Sequence, residues 1–550
     1  MKTSFSGYGR PKGGAIGLSA ADVDETAAPG TAIGTLLPPP GSGWSFRLAD
    51  DAGGMFALSG GRIVTGSAKL SHDAAPSPKL LVAATNGERA NAALLRLNVR
   101  RPLAALPRPA AARIAAIGDS QIGYNNYGGV NDVAGIAANK AVSTFAYGFI
   151  EQALAIDPRF DFDSWWDAGE PGGRGIAGAN QGIFGDHLTD LQGAGILGRL
   201  PAVLARRPDL LILEGGTNSL NSGDGGNGVP AGADFCIAQL NRALVLCRNE
   251  GVPVILTTLH PRGDWPAGDA RYQALAQLNA WIRAQAGRNG VAGILDAESL
   301  LAPGGTLDTT LYFGDLVHLN QRGAVLVGRD RLLPLLQAAV APGTVFNPDP
   351  TVANLLPAGQ AKLQGATGTK TGAIVSGDVA AGVTVTASRN ASAILCSKAI
   401  VADDLEAQVL DITPANLGGT SYGDLGITLP SATSGLPNAG SWVRAGLLLE
   451  LNEVEALSMA RLNVQIAQGS ATKAQTFAMN GYSSEFDKPV PAGRGWWIVT
   501  KPMQIPPGET FDRLRWTLQL YWAKSAAPFR MKLSRPFLRA IADPRVAWNY

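Results

Sequence analysis

The hydrophobic pattern of this chain changes period twice, and that change limits the folds open to it more than any other feature. Between Ile114 and Ala338, short apolar runs at Ile114 to Ile117, Phe160 to Trp166, Leu210 to Leu213, Val252 to Leu256 and Val291 to Leu295 alternate with helical patterns. The helical patterns lie at Thr144 to Ile156, Ala233 to Glu250, Ala270 to Arg288 and Asn320 to Ala338. Strands alternating with helices of this length form βα units, and βα units build a parallel sheet. In the second of these helices Ile237, Leu240, Leu244 and Cys247 fall on one stripe, the face expected against the sheet. Before residue 100 and after residue 345 the helical period is absent.

The flanks read as all-β. In residues 1–100, apolar runs at Thr31 to Leu36, Trp44 to Leu48, Arg62 to Thr65, Leu80 to Ala84 and Leu94 to Val99 are separated by Gly, Pro and Asp, the spacing of a small β-sandwich. Arg100 to Pro109 holds three prolines in ten residues, so 101–109 is expected to be a stiff linker. From 345 to 550 some eight strand-like runs, from Val383 to Ala387 through Phe529 to Leu533, predict a jelly roll. In the last but one, Leu514, Trp516, Leu518, Leu520 and Trp522 share one face and are expected in the core. Trp496 and Trp497 are neighbours and point to opposite faces, so one of them is expected to be exposed.

Composition narrows the function classes. A length of 550 residues implies several domains, and 46% apolar with 16% charged residues excludes general disorder. A net charge of +2 carries no basic footprint for nucleic acid and no polybasic membrane patch. No apolar run is long enough to span a membrane, and the N-terminal residues lack the apolar stretch of a secretory leader, so no Sec signal is expected. Three cysteines, Cys236, Cys247 and Cys396, cannot make a disulfide framework and read as buried apolar side chains.

Three segments carry chemistry. Ile114-Ala-Ala-Ile117 runs into Gly118-Asp-Ser120, placing a hydroxyl at the carboxyl end of the first strand, where open α/β sheets hold their sites. Leu210-Leu-Ile-Leu-Glu-Gly-Gly-Thr-Asn218 ends a second strand in glycines and an amide, and Asp315-Leu-Val-His318 precedes the last helix. A serine hydroxyl needs a base, and the chain offers only His72, His187, His260 and His318. Asp315 stands three residues before His318, a spacing that puts both on one side of a helical turn, where the carboxylate can hold the imidazole tautomer. His260, after the run Val252 to Leu256, is read as lining the cleft or capping a loop. The polar segments Gly123 to Asp132 and Asn218 to Asn227 follow the serine and the amide, and such walls suit a hydroxylated substrate better than a lipid chain.

On these motifs, residues 110–343 resemble the SGNH, or GDSL-type, hydrolases. The resemblance implies a flavodoxin-like three-layer fold, a Ser120, Asp315, His318 triad, and an oxyanion hole made by the N–H of Ser120, the N–H of Gly178 and the amide of Asn218. For the second-block glycine, Gly173 and Gly175 are the alternatives to Gly178. Gln121 stands where the family usually has an aliphatic residue, and Ser219 where it has aspartate, so Gln121, Tyr124, Ser219 and His260 are the residues expected to shape the substrate site. Residues 1–100 resemble a cadherin-type repeat, with Asp22, Asp24, Glu25, Asp50 and Asp51 as its acidic positions, and 345–550 resemble a carbohydrate-binding jelly roll. Together these imply a serine esterase removing O-acetyl or other short acyl groups from a polysaccharide, with no metal or cofactor. Phage tail or fibre proteins are similar in their all-β flanks, which makes a virion or cell surface the expected location. A lipase or polyester hydrolase, and a non-catalytic adhesin, are the alternatives; oligomeric state is left open. The C-terminal domain is expected to add nothing directly to the reacting centre.

Overall fold

The computed structural model describes residues 15–109, 112–125, 141–142, 147–157, 179–189, 195–223, 228–341, 347, 349–452, 454–479, 486–491 and 495–543. Two compact units divide the chain, Met1–Ala104 with Leu244–Pro253, and Ala105–Ala243 with Val254–Tyr550.

The first unit is built from short strands in four-, three- and two-stranded sheets around one apolar core. Alternation sets its strands: in Lys79–Thr85, Leu80, Val82 and Ala84 point inward and are buried. The run expected at Leu94 to Val99 is two strands, Ala90–Arg96 and Asn98–Arg100. Its acidic positions are engaged within the protein. Asp24 pairs with Arg100 and Arg248, Asp22 accepts from Asn98 and Arg100, and Glu25 accepts the N–H of His72. Asp50 and Asp51 cap turns at Ala52 and Gly54.

In the second unit, strands Ile114–Gly118, Asn180–Gly182, Leu210–Leu213, Val254–Thr257 and Val291–Leu295 form one parallel sheet. Numbered by chain position, the spatial order is 2-1-3-4-5, the flavodoxin-like arrangement. Leu210–Leu213 and Val254–Thr257 are buried at every residue, as strands covered on both faces must be. The buried stripe of helix Ala233–Asn249 is Cys236, Leu240, Ala243, Leu244 and Cys247, with Ile237 turned partly outward. All three cysteines are free and buried. The run expected as a strand at Phe160 to Trp166 lies outside the described residues. Asn320 to Ala338, expected as one helix, is three consecutive pieces: an α-helix Gln321–Val327, a π-helical turn Gly328–Leu332 and an α-helix Leu333–Ala339. Pro334 explains the break, because it has no N–H to return to the carbonyl four residues back, and the ladder widens there.

The remainder of this unit is a β-sandwich of two seven-stranded sheets. In strand Arg513–Ala523, Leu514, Trp516, Leu518, Leu520 and Trp522 are at most 1% exposed, as alternation predicts. Trp496 and Trp497 are both buried, against the expectation that one would be exposed. The reason is a second layer: Trp496 lines a cavity shared with Tyr147, Gln152 and Val325 of the α/β domain, whose helix Phe149–Ile156 lies against strand Trp496–Val499.

That layer extends further. Buried Lys501 pairs with buried Glu151 of the same helix. Gln152 and Gln321 donate to the sulfurs of Met479 and Met459, and Arg322 pairs with Glu455. Residues Ala141–Val142 form an edge strand on Ala471–Ala478 of the sandwich. The β-sandwich and the α/β domain are one packed body.

Candidate active site

Strand Ile114–Gly118 ends at the crevice where the strand order reverses, and the chain turns there into a short helix, Ser120–Gly123. Asp119 caps this helix, its Oδ1 accepting the Gln121 N–H at 3.0 Å. The Ser120 N–H makes no hydrogen bond among the described residues and stays available to a ligand. Asn125, fully buried, fastens the turn: its amide donates to the carbonyls of Gln121 and Ile122, while its Oδ1 accepts the N–H groups of Ile150 and Glu151. Nothing local in the sequence marks Asn125 for this task.

Ser120 Oγ lies 2.8 Å from Nε2 of His318, and Nδ1 of His318 lies 2.6 Å from Asp315 Oδ2. With Nδ1–H donating to the carboxylate, Nε2 is left as an acceptor for the serine proton. Partial burial pushes the Asp315 carboxyl up, but hydrogen bonds from the His318 ring and from the Val317 and His318 N–H groups hold it down at about 2. Asp315 to His318 is not a helical turn, as the spacing had implied. The segment is a tight loop with Leu316 in the left-handed region at φ 56° and Asp315 Oδ1 accepting the two N–H groups that follow. A buried Gln121 ties this loop to the nucleophile by donating to the Val317 carbonyl at 2.8 Å. Tyr124 packs edge-on against the His318 ring, with centroids 5.1 Å apart, and also touches Phe184 and Tyr147.

Asn218 opens helix Thr217–Ser222 after strand Leu210–Leu213. Gly215 and Gly216 carry the chain between them at φ 146° and 127°, a path that L side chains rarely follow. One Nδ2 hydrogen of Asn218 goes to the Asp186 carbonyl at 2.9 Å, and the other meets Asp119 Oδ2 at a long 3.4 Å. That second hydrogen is the one free to be exchanged for an oxyanion.

All four residues expected to shape the substrate site, Gln121, Tyr124, Ser219 and His260, are buried. Ser219 is fully buried and its hydroxyl accepts the Leu188 N–H. His260 is 3% exposed, lies edge-on to Phe149, and has neither ring nitrogen hydrogen-bonded among the described residues; burial first, and the His318 charge second, lower it to about 3, so it is neutral. Gly178 lies outside the described residues. Beside the site, Asp186 pairs with Arg199, and Arg262 holds Asp264 while reaching Thr217 Oγ1 at 3.4 Å. Among the described residues no group of three or more His, Cys, Asp or Glu side chains is placed to hold a metal ion, and no helix is long and apolar enough to cross a membrane.

Residues 164–326 match the GDSL-like lipase/acylhydrolase family, and this part of the chain is a domain of that kind. The match takes in Asn218, Asp315 and His318 and begins after Ser120. No curated protein matches the sequence. Among solved structures, the chain is similar to a GDSL-like lipase from Bacteroides thetaiotaomicron, with 23% identity over 29% of this chain and 75% of that one, at a TM-score of 0.25. An acetylxylan esterase from Geobacillus stearothermophilus aligns at 16% identity over 43% of this chain and all of the other, TM-score 0.29. Carbohydrate-binding modules of the β-sandwich superfamily align at 9% identity over 28% of this chain and 56% of theirs, TM-score 0.21.

Proposed function

We propose that the α/β domain is a serine esterase that removes O-acetyl or other short acyl groups from a polysaccharide through an acyl-enzyme. The observation that carries this reading is the continuous relay from Ser120 Oγ through His318 to Asp315, at 2.8 and 2.6 Å. His318 takes the serine proton as Ser120 attacks the ester carbonyl, and the ionised Asp315 stabilises the imidazolium that forms. The negative charge on the carbonyl oxygen is met by the Ser120 N–H and the Asn218 amide, with Gly178 proposed as the third donor. His318 then returns its proton to the leaving alcohol, and water, activated by the same imidazole, releases the acid.

Hydroxylated substrate is supported by the polar side chains around the relay, Gln121, Asn218 and Asp315, and by the aromatic edge formed by Tyr124 and Phe184, on which a sugar ring can stack. The place of action that fits is a virion or cell surface, where such polymers are met. The test is acetate release from a panel of acylated polysaccharides beside a chain-length series of p-nitrophenyl esters. Release of acetate, with activity falling as the acyl chain lengthens and lost by about 10⁴-fold in Ser120→Ala, is the expected result. Activity rising with chain length would replace the reading by a lipase or polyester hydrolase, and turnover that survives Ser120→Ala in a folded protein would remove the nucleophile.

A further inference from the structure

Two carboxyl groups outside the relay meet beneath the nucleophile. Asp119 is 0% and Glu214 is 1% exposed. The Asp119 N–H donates to Glu214 Oε2 at 3.1 Å, which sets the two carboxyl groups side by side. The space is made by Gly118: a Cβ there would stand 2.6 Å from Glu214 Oε2 and from Ile122 Cγ1. Two carboxylates this close in a dry site cannot both be ionised, so the pair holds a proton.

The hydrogen bonds say which partner carries it. Asp119 accepts at both oxygens, from the Gln121 N–H and from the Asn218 amide, and it faces His318, which favours its ionised form once the ring has taken the serine proton. Glu214 accepts the Asp119 N–H, and the charged groups acting on it among the described residues are acids, Asp119 and Asp186. The cation nearest to Asp186, Arg199, is committed to the Asp186 carboxylate and to the carbonyls of Gln181 and Gly118, and His187 lies beside Asp186. Burial, and after it the Asp119 charge, push Glu214 well above the carboxylate range.

We propose that Glu214 keeps a proton, which it donates to the Asp119 carboxylate, and that through Asp119 it is a positioning residue for the Asn218 amide. A carboxylate already accepting a hydrogen bond from an acid is a weaker acceptor toward the amide. The long 3.4 Å contact is then given up readily when an oxyanion appears. A second negative charge at Glu214 would tighten that contact and oppose the charge that develops in the transition state. This inference rests on the serine-esterase reading for its consequence but not for the proton itself.

The test has two arms. An infrared difference spectrum of wild type minus Glu214→Gln at neutral pH is expected to show the C=O stretch of a protonated carboxyl; a carboxylate signal alone would overturn the proposal. With a short p-nitrophenyl ester, Glu214→Ala is expected to lower kcat by about 10- to 100-fold at unchanged KM. Glu214→Gln, neutral at every pH and still a donor to Asp119, is expected to recover most of that loss. If the isosteric Glu214→Gln, folded by circular dichroism, loses as much kcat as Glu214→Ala, the donor role is wrong. If the wild type itself shows no Ser120-dependent turnover, the esterase reading falls while the infrared band still decides the proton.

Discussion

At the scale of single residues, the relay sorts its members by what each does in the transition state. Asn218 offers a hydrogen that in the resting site rests on Asp119 Oδ2 at 3.4 Å, which under the proposed reading is held for the charge that appears on attack. Asn218→Ala is expected to lower kcat by about 10² to 10³ with KM little changed, as steady-state kinetics on a short ester would show. A change confined to KM would make the amide a substrate-binding group. Asp315 predicts a pH dependence. Its pKa is depressed to about 2, so the carboxylate stays ionised, and any stability it lends persists above the usual carboxylate range and is lost only as pH falls toward 2. Asp315→Asn is therefore expected to lower the plateau of the kcat/KM profile without creating a new limb at low pH. Ser120, Asn218, Asp315 and His318, which the fold gathers, sit in short motifs, the first two at the ends of apolar runs and the last two just before a helical pattern. Asp119 with Glu214, and Asn125 with the helix that follows, were not legible, because their partners are 95 and 25 residues away and no local pattern reports such pairings.

At the scale of elements, period was a good guide and surroundings were not. Leu210–Leu213 and Val291–Leu295 are strands at the positions their apolar runs predicted. The Asp315 to His318 spacing was compatible with a helical turn, yet an Asx-type loop with Leu316 at positive φ brings the same two side chains together. The pair of tryptophans failed for a related reason: alternation says that two neighbours face opposite ways but not that both sides are covered. Helix Phe149–Ile156 supplies the missing cover, and its Glu151 is buried with Lys501 as its ion-pair partner. Removing one partner of such a pair leaves an unpaired buried charge, so Lys501→Met is expected to destabilise the protein by about 3–5 kcal/mol, measured by chemical denaturation. Adding Glu151→Leu should restore most of the loss. A Lys501→Met protein as stable as wild type would mean that Glu151 is protonated and needs no partner.

At the scale of the whole molecule, composition and period separated an α/β segment from all-β segments but said nothing of how the last two pack. That information lies in scattered contacts. Gln321, three residues after the base His318, donates to Met459 of the sandwich, and Lys488 reaches the Tyr312 carbonyl just before the His318 loop. Ala141–Val142, in the segment following the nucleophile, pairs with Ala471–Ala478. Between the two layers lies a cavity of about 30 Å³ lined by side chains of both, Tyr147, Gln321 and Val325 from one and Met459, Met479 and Trp496 from the other. A chain ending at Ala341 would lose every one of these partners, leave Glu151 without its cation, and expose the apolar face around Val325. It would also free the segment that carries His318, so under the proposed reading the sandwich braces the relay. Such a truncation is expected to aggregate or to lose activity on a small soluble ester and on acylated polysaccharide together, as parallel assays and light scattering would show. A monodisperse truncated protein that kept wild-type kcat/KM on the small ester and lost only the polymer would instead make the C-terminal sheets a targeting module, with the packing between the layers irrelevant to the reaction.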